Sequence, residues 1–245
     1  MSATTAHAKR PGPAKRPGPA SKKAGNRWVF PAVLAGIVLV GIIAVVVVAA
    51  GGSDGGSGAK AAAAEISAEV AVDGAPLPDY TGTGKDAAIG LAAPTLESVD
   101  FQGDSVTVGG TTGSPYAVIF LAHWCPHCQA EVPVLVSLGQ KGQIAGVDVT
   151  GVATGTSQSN PNYPPSEWLA REDWGFPVML DDAQGTAANA YGLTGYPFMV
   201  FVDAQGKVAG RISGEVPAAN VTAIFTALAK GEPLPLPGSG ASSSR

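Results

Sequence analysis

Residues 117–122 read Ala-Val-Ile-Phe-Leu-Ala, and positions 123–128 continue with His-Trp-Cys-Pro-His-Cys. The six apolar residues predict a strand buried on both faces, which passes into a helix at the two cysteines. Cys125 then lies at a helix N-terminus, where unpaired N–H groups and the helix dipole stabilise a thiolate. Cys128 follows about one turn later, close enough to close a small disulfide ring. The pattern therefore predicts a redox-active cysteine pair.

Three other interpretations of this pair, which holds the only cysteines of the chain, are less well supported. A structural zinc site needs four ligands, and the sequence adds only His7, His123 and His127. Haem attachment requires histidine directly after the second cysteine, where Gln129 stands. A purely structural disulfide stays open, although a bridge across so short a loop constrains the unfolded chain little. We predict neither a metal nor a cofactor.

Strand-like and helix-like patterns alternate on both sides of the cysteine pair. Apolar residues three to four apart predict helices over about 132–138 and 221–228. Turn residues predict two hairpins, one early in this region and one before the last helix. The predicted strands are 95–101, 105–108, 117–122, 144–150, 177–180, 198–202 and 207–212. Strands separated by helices predict an α/β fold with a central sheet covered on both faces.

Three further motifs lie before and after the cysteine pair in the sequence. Residues 90–94 read Gly-Leu-Ala-Ala-Pro, Pro133 falls eight residues after Cys125, and residues 191–197 read Tyr-Gly-Leu-Thr-Gly-Tyr-Pro. With these motifs the region 90–230 resembles the thioredoxin superfamily, and within it the extracytoplasmic TlpA/ResA-like branch. The resemblance implies a thioredoxin fold, a central mixed sheet flanked by helices, with an N-terminal hairpin and an insertion at about 154–180.

The resemblance also implies a protein-disulfide oxidoreductase. Cys125 is then the sulfur that exchanges with substrate, and Cys128 is the sulfur that resolves the mixed disulfide. Pro197 is expected in cis, so that the backbone of Tyr196 binds substrate main chain, with Trp124 as the third substrate-binding residue. The position six residues before the first cysteine, where thioredoxins carry a buried acid, is Ile119. The base for Cys128 is therefore unidentified, and water or another carboxylate such as Asp148 is the candidate.

The dipeptide Pro126-His127 bears on the direction of electron flow. A Cys-Pro-His-Cys site resembles DsbA-type oxidants, whereas most of the TlpA/ResA branch has proline in the second position. A histidine beside Cys125 stabilises its thiolate, and hence the reduced protein, which makes the disulfide a stronger oxidant. This favours disulfide donation to exported proteins. Two alternatives stay open: a TlpA/ResA-like reductase for cytochrome c maturation, and a non-enzymatic metal- or protein-binding module.

The regions outside the predicted domain indicate where the protein resides. Residues 28–50 carry no charge and are long enough for a transmembrane helix. A cleaved signal peptide is the alternative, but signal cores are shorter. Residues 1–27 hold seven basic residues and no acid, which predicts a disordered cytoplasmic tail. The predicted order continues with a Gly/Ser/Ala-rich linker (51–86), the thioredoxin-like domain (87–232) and a disordered tail (233–245).

Charge and topology together define the expected partners. After residue 50 the chain holds 8 basic and 19 acidic residues, a net charge of −11, so we expect no nucleic-acid partner. We expect a single-pass plasma-membrane protein with its catalytic domain outside the cytoplasm. The expected partners are the bilayer, exported protein thiols or disulfides and a membrane redox partner, and the chain is expected to be a monomer.

Overall fold

The computed structural model describes residues 68–236. The predicted cytoplasmic tail, the transmembrane helix 28–50, most of the linker and residues 237–245 lie outside this range. Within it, no helix combines the length and apolar character needed to cross a bilayer. The membrane anchor therefore stays a prediction.

Between residues 68 and 236 the chain forms eight strands and four helices. The strands are β1 (Ala71–Asp73), β2 (Thr95–Val99), β3 (Ser105–Val108), β4 (Tyr116–Leu121), β5 (Asp148–Ala153), β6 (Val178–Leu180), β7 (Phe198–Val202) and β8 (Val208–Ser213). The helices are α1 (Pro126–Gln140), α2 (Pro165–Arg171), α3 (Thr186–Ala190) and α4 (Ala218–Lys230). An antiparallel sheet has the order β1-β2-β3, and a central sheet has the order β6-β5-β4-β7-β8.

The central sheet is mixed, because β4 pairs in parallel with β5 and antiparallel with β7. All six residues of β4 are buried. Ile119 and Leu121 pack with apolar residues of α1, α2 and α4. Val118 and Phe120 pack on the opposite face with α3 and the β2–β3 hairpin. The predicted thioredoxin-like α/β sheet, covered on both faces, is therefore confirmed.

Both predicted hairpins form, as β2–β3 and as β7–β8. The strand predicted at 144–150 is wrong at its start, because β5 begins at Asp148 and runs to Ala153. Gly142 and Gly146 have φ values of 67° and 84°, which are incompatible with an extended strand. Ile144 is buried within these turns. An apolar residue buried in a turn cannot be distinguished in the sequence from one buried in a strand.

A segment before the predicted domain start packs on the same core. This N-terminal strap, residues 77–86, runs beside the chain that follows α3. The N–H of Tyr80 donates to the carbonyl of Gly192 (2.9 Å), and the hydroxyl of Thr194 donates to the carbonyl of Tyr80 (2.7 Å). The strap therefore forms a fixed wall beside the loop 194–197, although sequence composition had placed it in a linker.

Arg211 of β8 holds the strap in place. Its side chain is fully buried, and its Nε donates to Oδ2 of Asp86 at 2.9 Å. The guanidinium also donates to the carbonyl of Pro78 (2.8 Å) and lies over the Tyr80 ring (5.4 Å to its centroid). Burial opposes ionisation of Asp86, but Arg211 outweighs it and holds the pKa of that carboxyl below its usual range.

Candidate active site

Cys125 is the N-cap residue of α1, directly after the turn that leaves β4. Its carbonyl accepts the N–H of Gln129 (3.1 Å), the first hydrogen bond of the helix. Pro126 occupies the first helical turn, where a missing N–H removes no helical hydrogen bond. The Cys125 sulfur therefore lies at the positive end of the helix dipole, which stabilises its thiolate. Only 6% of the residue is exposed.

Cys128 lies one turn further along α1 and is completely buried. The N–H of Ala122 donates to its sulfur at 3.5 Å. Burial raises the pKa of the Cys128 thiol far above its ordinary value, despite that hydrogen bond, and negative charge on Cys125 and Glu131 adds to the effect. The two cysteines thus have different environments: Cys125 is slightly exposed at the helix start, and Cys128 is completely buried one turn later. Such asymmetry suits an attacking and a resolving thiol.

The loop before β7 lies beside the Cys125 sulfur. The Tyr196–Pro197 peptide bond is cis, as the resemblance implies. The Cys125 thiol donates to the carbonyl of Tyr196 at 3.9 Å. The Tyr196 ring meets the Trp124 ring edge to face, with 5.7 Å between centroids, and the Trp124 indole N–H donates to the carbonyl of Gly155 (2.8 Å). The structure thus brings together all three predicted substrate-binding residues beside Cys125.

The side chain of His127 is two-thirds exposed. Its Nδ1 lies 2.6 Å from Oε1 of Glu215, whose side chain is half exposed. Glu215 follows β8 and is 88 residues away in the chain. Sequence analysis missed this acid, because no local pattern joins the two positions.

Glu131 is the second acid that sequence analysis missed. It lies on α1 three residues after Cys128, a spacing that puts both side chains on one face of the helix. It is 1% exposed, and its Oε2 accepts the N–H of Val216 at 2.8 Å. Its Oε1 is buried without a hydrogen-bond partner among residues 68–236. Burial, with a smaller contribution from Glu215, raises the pKa of Glu131 to about 7.

Glu131 therefore replaces Asp148 as the candidate base for Cys128. Asp148 pairs with Tyr116 at the start of β4, whereas the cysteines follow the end of that strand at Leu121. Five residues of extended chain separate these two levels, about 16 Å. The helical spacing from Cys128 was the signal that could have identified Glu131, since an acid among buried helix positions is rare.

His123, two residues before Cys125, has a structural role. It is 1% exposed, and the N–H of Ser157 donates to its Nε2 at 3.2 Å. Because Nε2 accepts, Nδ1 carries the proton and donates to the carbonyl of Pro161 at 2.6 Å. Both ring nitrogens thus hold the loop after β5, which also contains the Tyr163–Pro164 cis bond.

The sequence model of the AhpC/TSA family matches residues 89–211. This range includes the cysteine pair and all of the central sheet except the last two residues of β8. The chain belongs to the AhpC/TSA family. Its match to ResA, named a thiol-disulfide oxidoreductase, from Bacillus thuringiensis is 28% identical and covers 52% of this chain and 70% of that protein. This relative agrees with the branch predicted from the sequence.

Two further comparisons extend the family assignment. Nucleoredoxin from Bos taurus is 30% identical over 122 residues, which are 49% of this AhpC/TSA-family chain and 27% of nucleoredoxin. The chain thus spans about a quarter of the length of the nucleoredoxins it matches. A crystal structure of an uncharacterized conserved protein from Geobacillus kaustophilus matches with a TM-score of 0.53 at 21% identity. The match covers 61% of this chain and 86% of the Geobacillus chain. That likeness concerns the fold alone.

Proposed function

We propose that this chain is a membrane-anchored, extracytoplasmic thiol-disulfide oxidoreductase that donates disulfides to exported proteins through Cys125 and Cys128. The observation that carries the proposal is the asymmetric dithiol: Cys125 caps α1 next to the Tyr196 carbonyl, and Cys128 is buried one turn later. Residues 28–50 are the proposed anchor, with the N-terminus in the cytoplasm and the chain a monomer.

The proposed reaction transfers two electrons from a substrate dithiol to the cysteine pair. A substrate thiolate attacks the sulfur of Cys125, a substrate–Cys125 bond forms, and the Cys125–Cys128 bond breaks. The second substrate thiol then attacks the substrate sulfur, forms the substrate disulfide and releases Cys125 as thiolate. A membrane redox partner that accepts two electrons must reoxidise the pair.

Glu131 is the proposed proton carrier for Cys128. Cys128 leaves as a thiolate in a buried place that disfavours charge, so it takes up a proton. A carboxyl with a pKa of about 7 can supply that proton near neutral pH and accept it in the reverse direction. The one-turn spacing on α1 places Glu131 for this role.

His127 favours donation over reduction. A histidine at the first turn of α1 stabilises the Cys125 thiolate and so the reduced pair, which strengthens the disulfide as an oxidant. Glu215 orients the imidazole from 2.6 Å. The alternative is a TlpA/ResA-like thiol reductase, and the match to ResA, named a thiol-disulfide oxidoreductase, is consistent with it. The two candidates differ in reduction potential rather than in the residues that react.

A redox titration tests the proposal. The full chain in detergent is equilibrated in glutathione buffers, and the reduced fraction of Cys125 and Cys128 is measured by thiol alkylation, with Cys125→Ser as the control that cannot form the pair. A potential near the DsbA value of about −120 mV supports donation, and one near the thioredoxin value of about −270 mV supports the reductase. The absence of a reversible two-electron transition refutes both.

A further inference from the structure

A groove of about 400 Å³ borders the 194–197 loop at Thr194 and is not used in the reaction proposed above. One wall is the N-terminal strap, and the other is the end of β8 with the residue that follows it. The loop 194–197, whose Tyr196 carbonyl accepts the Cys125 thiol, contributes Thr194 to its lining. The lining residues used below are Tyr80, Thr81, Thr194, Ser213 and Glu215.

The groove is preformed rather than a gap between loose segments. Thr194 donates to the carbonyl of Tyr80, which joins the two sides at 2.7 Å. The Tyr80 ring lies on the buried guanidinium of Arg211, which is itself paired with Asp86. A ligand that enters therefore pays little to order these walls.

The geometry of β8 suits an extended polypeptide. β8 is an edge strand of the central sheet, and residues 90–92 cover only its beginning, through the bond from Gly90 N–H to the carbonyl of Val208 (2.8 Å). Its other end, at Ser213, borders the groove. Edge strands bind extended peptides through main-chain hydrogen bonds. A chain laid there borders the 194–197 loop at Thr194, and in that loop the carbonyl of Tyr196 accepts the Cys125 thiol.

The charge of the groove selects what enters. Glu215 is the one charged residue of its lining, and its carboxylate is half exposed. Oε1 contacts His127, while Oε2 has no hydrogen-bond partner among residues 68–236. Arg211 does not offset this charge, because Asp86 already pairs with it in the core. Residues 68–236 hold 17 acidic and 6 basic residues, so the surrounding field also attracts cations.

We propose that this groove binds the polypeptide that flanks the substrate cysteine, and that Glu215 makes a flank rich in Lys or Arg the preferred one. The proposal rests on the function proposed above and adds a substrate class to it. Glu215 is in this respect a specificity-determining residue.

The test uses the oxidised full chain in detergent and three matched peptides. Each peptide has one cysteine, flanked on both sides by lysines, glutamates or glutamines, and the second-order rate of its reaction with the disulfide is measured at low ionic strength. The readout is the ratio of the lysine-peptide rate to the glutamate-peptide rate. Comparing this ratio between variants cancels the intrinsic reactivity of each peptide thiol and any general change in Cys125.

Three variants separate the groove from a general charge effect. Glu215→Gln removes the proposed contact, and Thr81→Arg adds a positive charge to the opposite wall without touching His127. Glu97→Gln, an exposed acid of β2, is the matched control with the same change of charge. We expect the ratio to fall about two- to fivefold in Glu215→Gln, and to fall in Thr81→Arg, as for the loss of an exposed ion pair, but not in the control.

An unchanged ratio in Glu215→Gln, or an equal fall in Glu97→Gln, overturns the groove proposal while leaving the oxidoreductase proposal intact. If no peptide opens the disulfide of the unsubstituted chain, the oxidoreductase proposal fails instead.

Discussion

Glu131→Gln is expected to remove a pH-dependent loss of stability from this domain. Burial raises the pKa of Glu131 from 4.5 to about 7 on folding, so the folded chain holds this proton more tightly than the unfolded chain. The stabilisation from the protonated carboxyl is fully present below pH 4.5 and is lost as the pH rises through about 7.

The magnitude follows from the same two values. At 1.36 kcal/mol per pH unit, the rise from 4.5 to about 7 corresponds to roughly 3 kcal/mol, of which about 2–3 kcal/mol falls between pH 5 and pH 8. Glutamine cannot titrate, and its carbonyl oxygen keeps the hydrogen bond from the Val216 N–H. The variant should therefore lack this component of the pH dependence.

Urea unfolding of residues 51–245, which follow the predicted transmembrane helix, measures the effect at pH 5 and pH 8 with both thiols reduced. The quantity compared is the free energy of unfolding of Glu131→Gln minus that of the unsubstituted chain, because other titrating groups cancel in this difference. It should rise by about 2–3 kcal/mol from pH 5 to pH 8, whereas Glu97→Gln should show no such rise. A change below about 0.5 kcal/mol would refute the buried, proton-holding state of Glu131.

Two other substitutions test the neighbourhood of the site. His127→Ala should lower the reduction potential of the cysteine pair by roughly 10–20 mV, because a stabilising interaction of about 0.5–1 kcal/mol with the Cys125 thiolate is lost. Glutathione titration measures this potential. An unchanged or higher potential contradicts the role given to His127. Arg211→Met should destabilise the domain by about 3–5 kcal/mol, because Asp86 is left buried without its partner. Urea unfolding at pH 7 measures this loss, Asp86→Asn with Arg211→Met should recover part of it, and a loss below about 1 kcal/mol contradicts the prediction.

Much of the fold could be predicted because its signals are local. The apolar run of β4 and the hairpin turns depend on residues close together in the chain, and their strands are observed where periodicity indicates them. The strand predicted at 144–150 begins instead at Asp148, because Ile144 is an apolar residue buried in a turn and not in a strand. The strap was missed for a different reason: its composition is that of a linker, and its order comes from Arg211 and Gly192, more than 100 residues further on.

The amino-acid sequence by itself determined the candidate reactive pair, since Cys125 and Cys128 need only the junction of one strand and one helix, and Pro126 supports that helix start. The tertiary structure alone decided which acids surround them. Glu215 reaches His127 only because β8 ends beside the start of α1. Glu131 has a raised pKa only because the packed core excludes water from it, which outweighs the hydrogen bond from the Val216 N–H. Spacing along the chain specifies which covalent chemistry is available, whereas burial and charge, which tune that chemistry, arise from segments that meet only after folding.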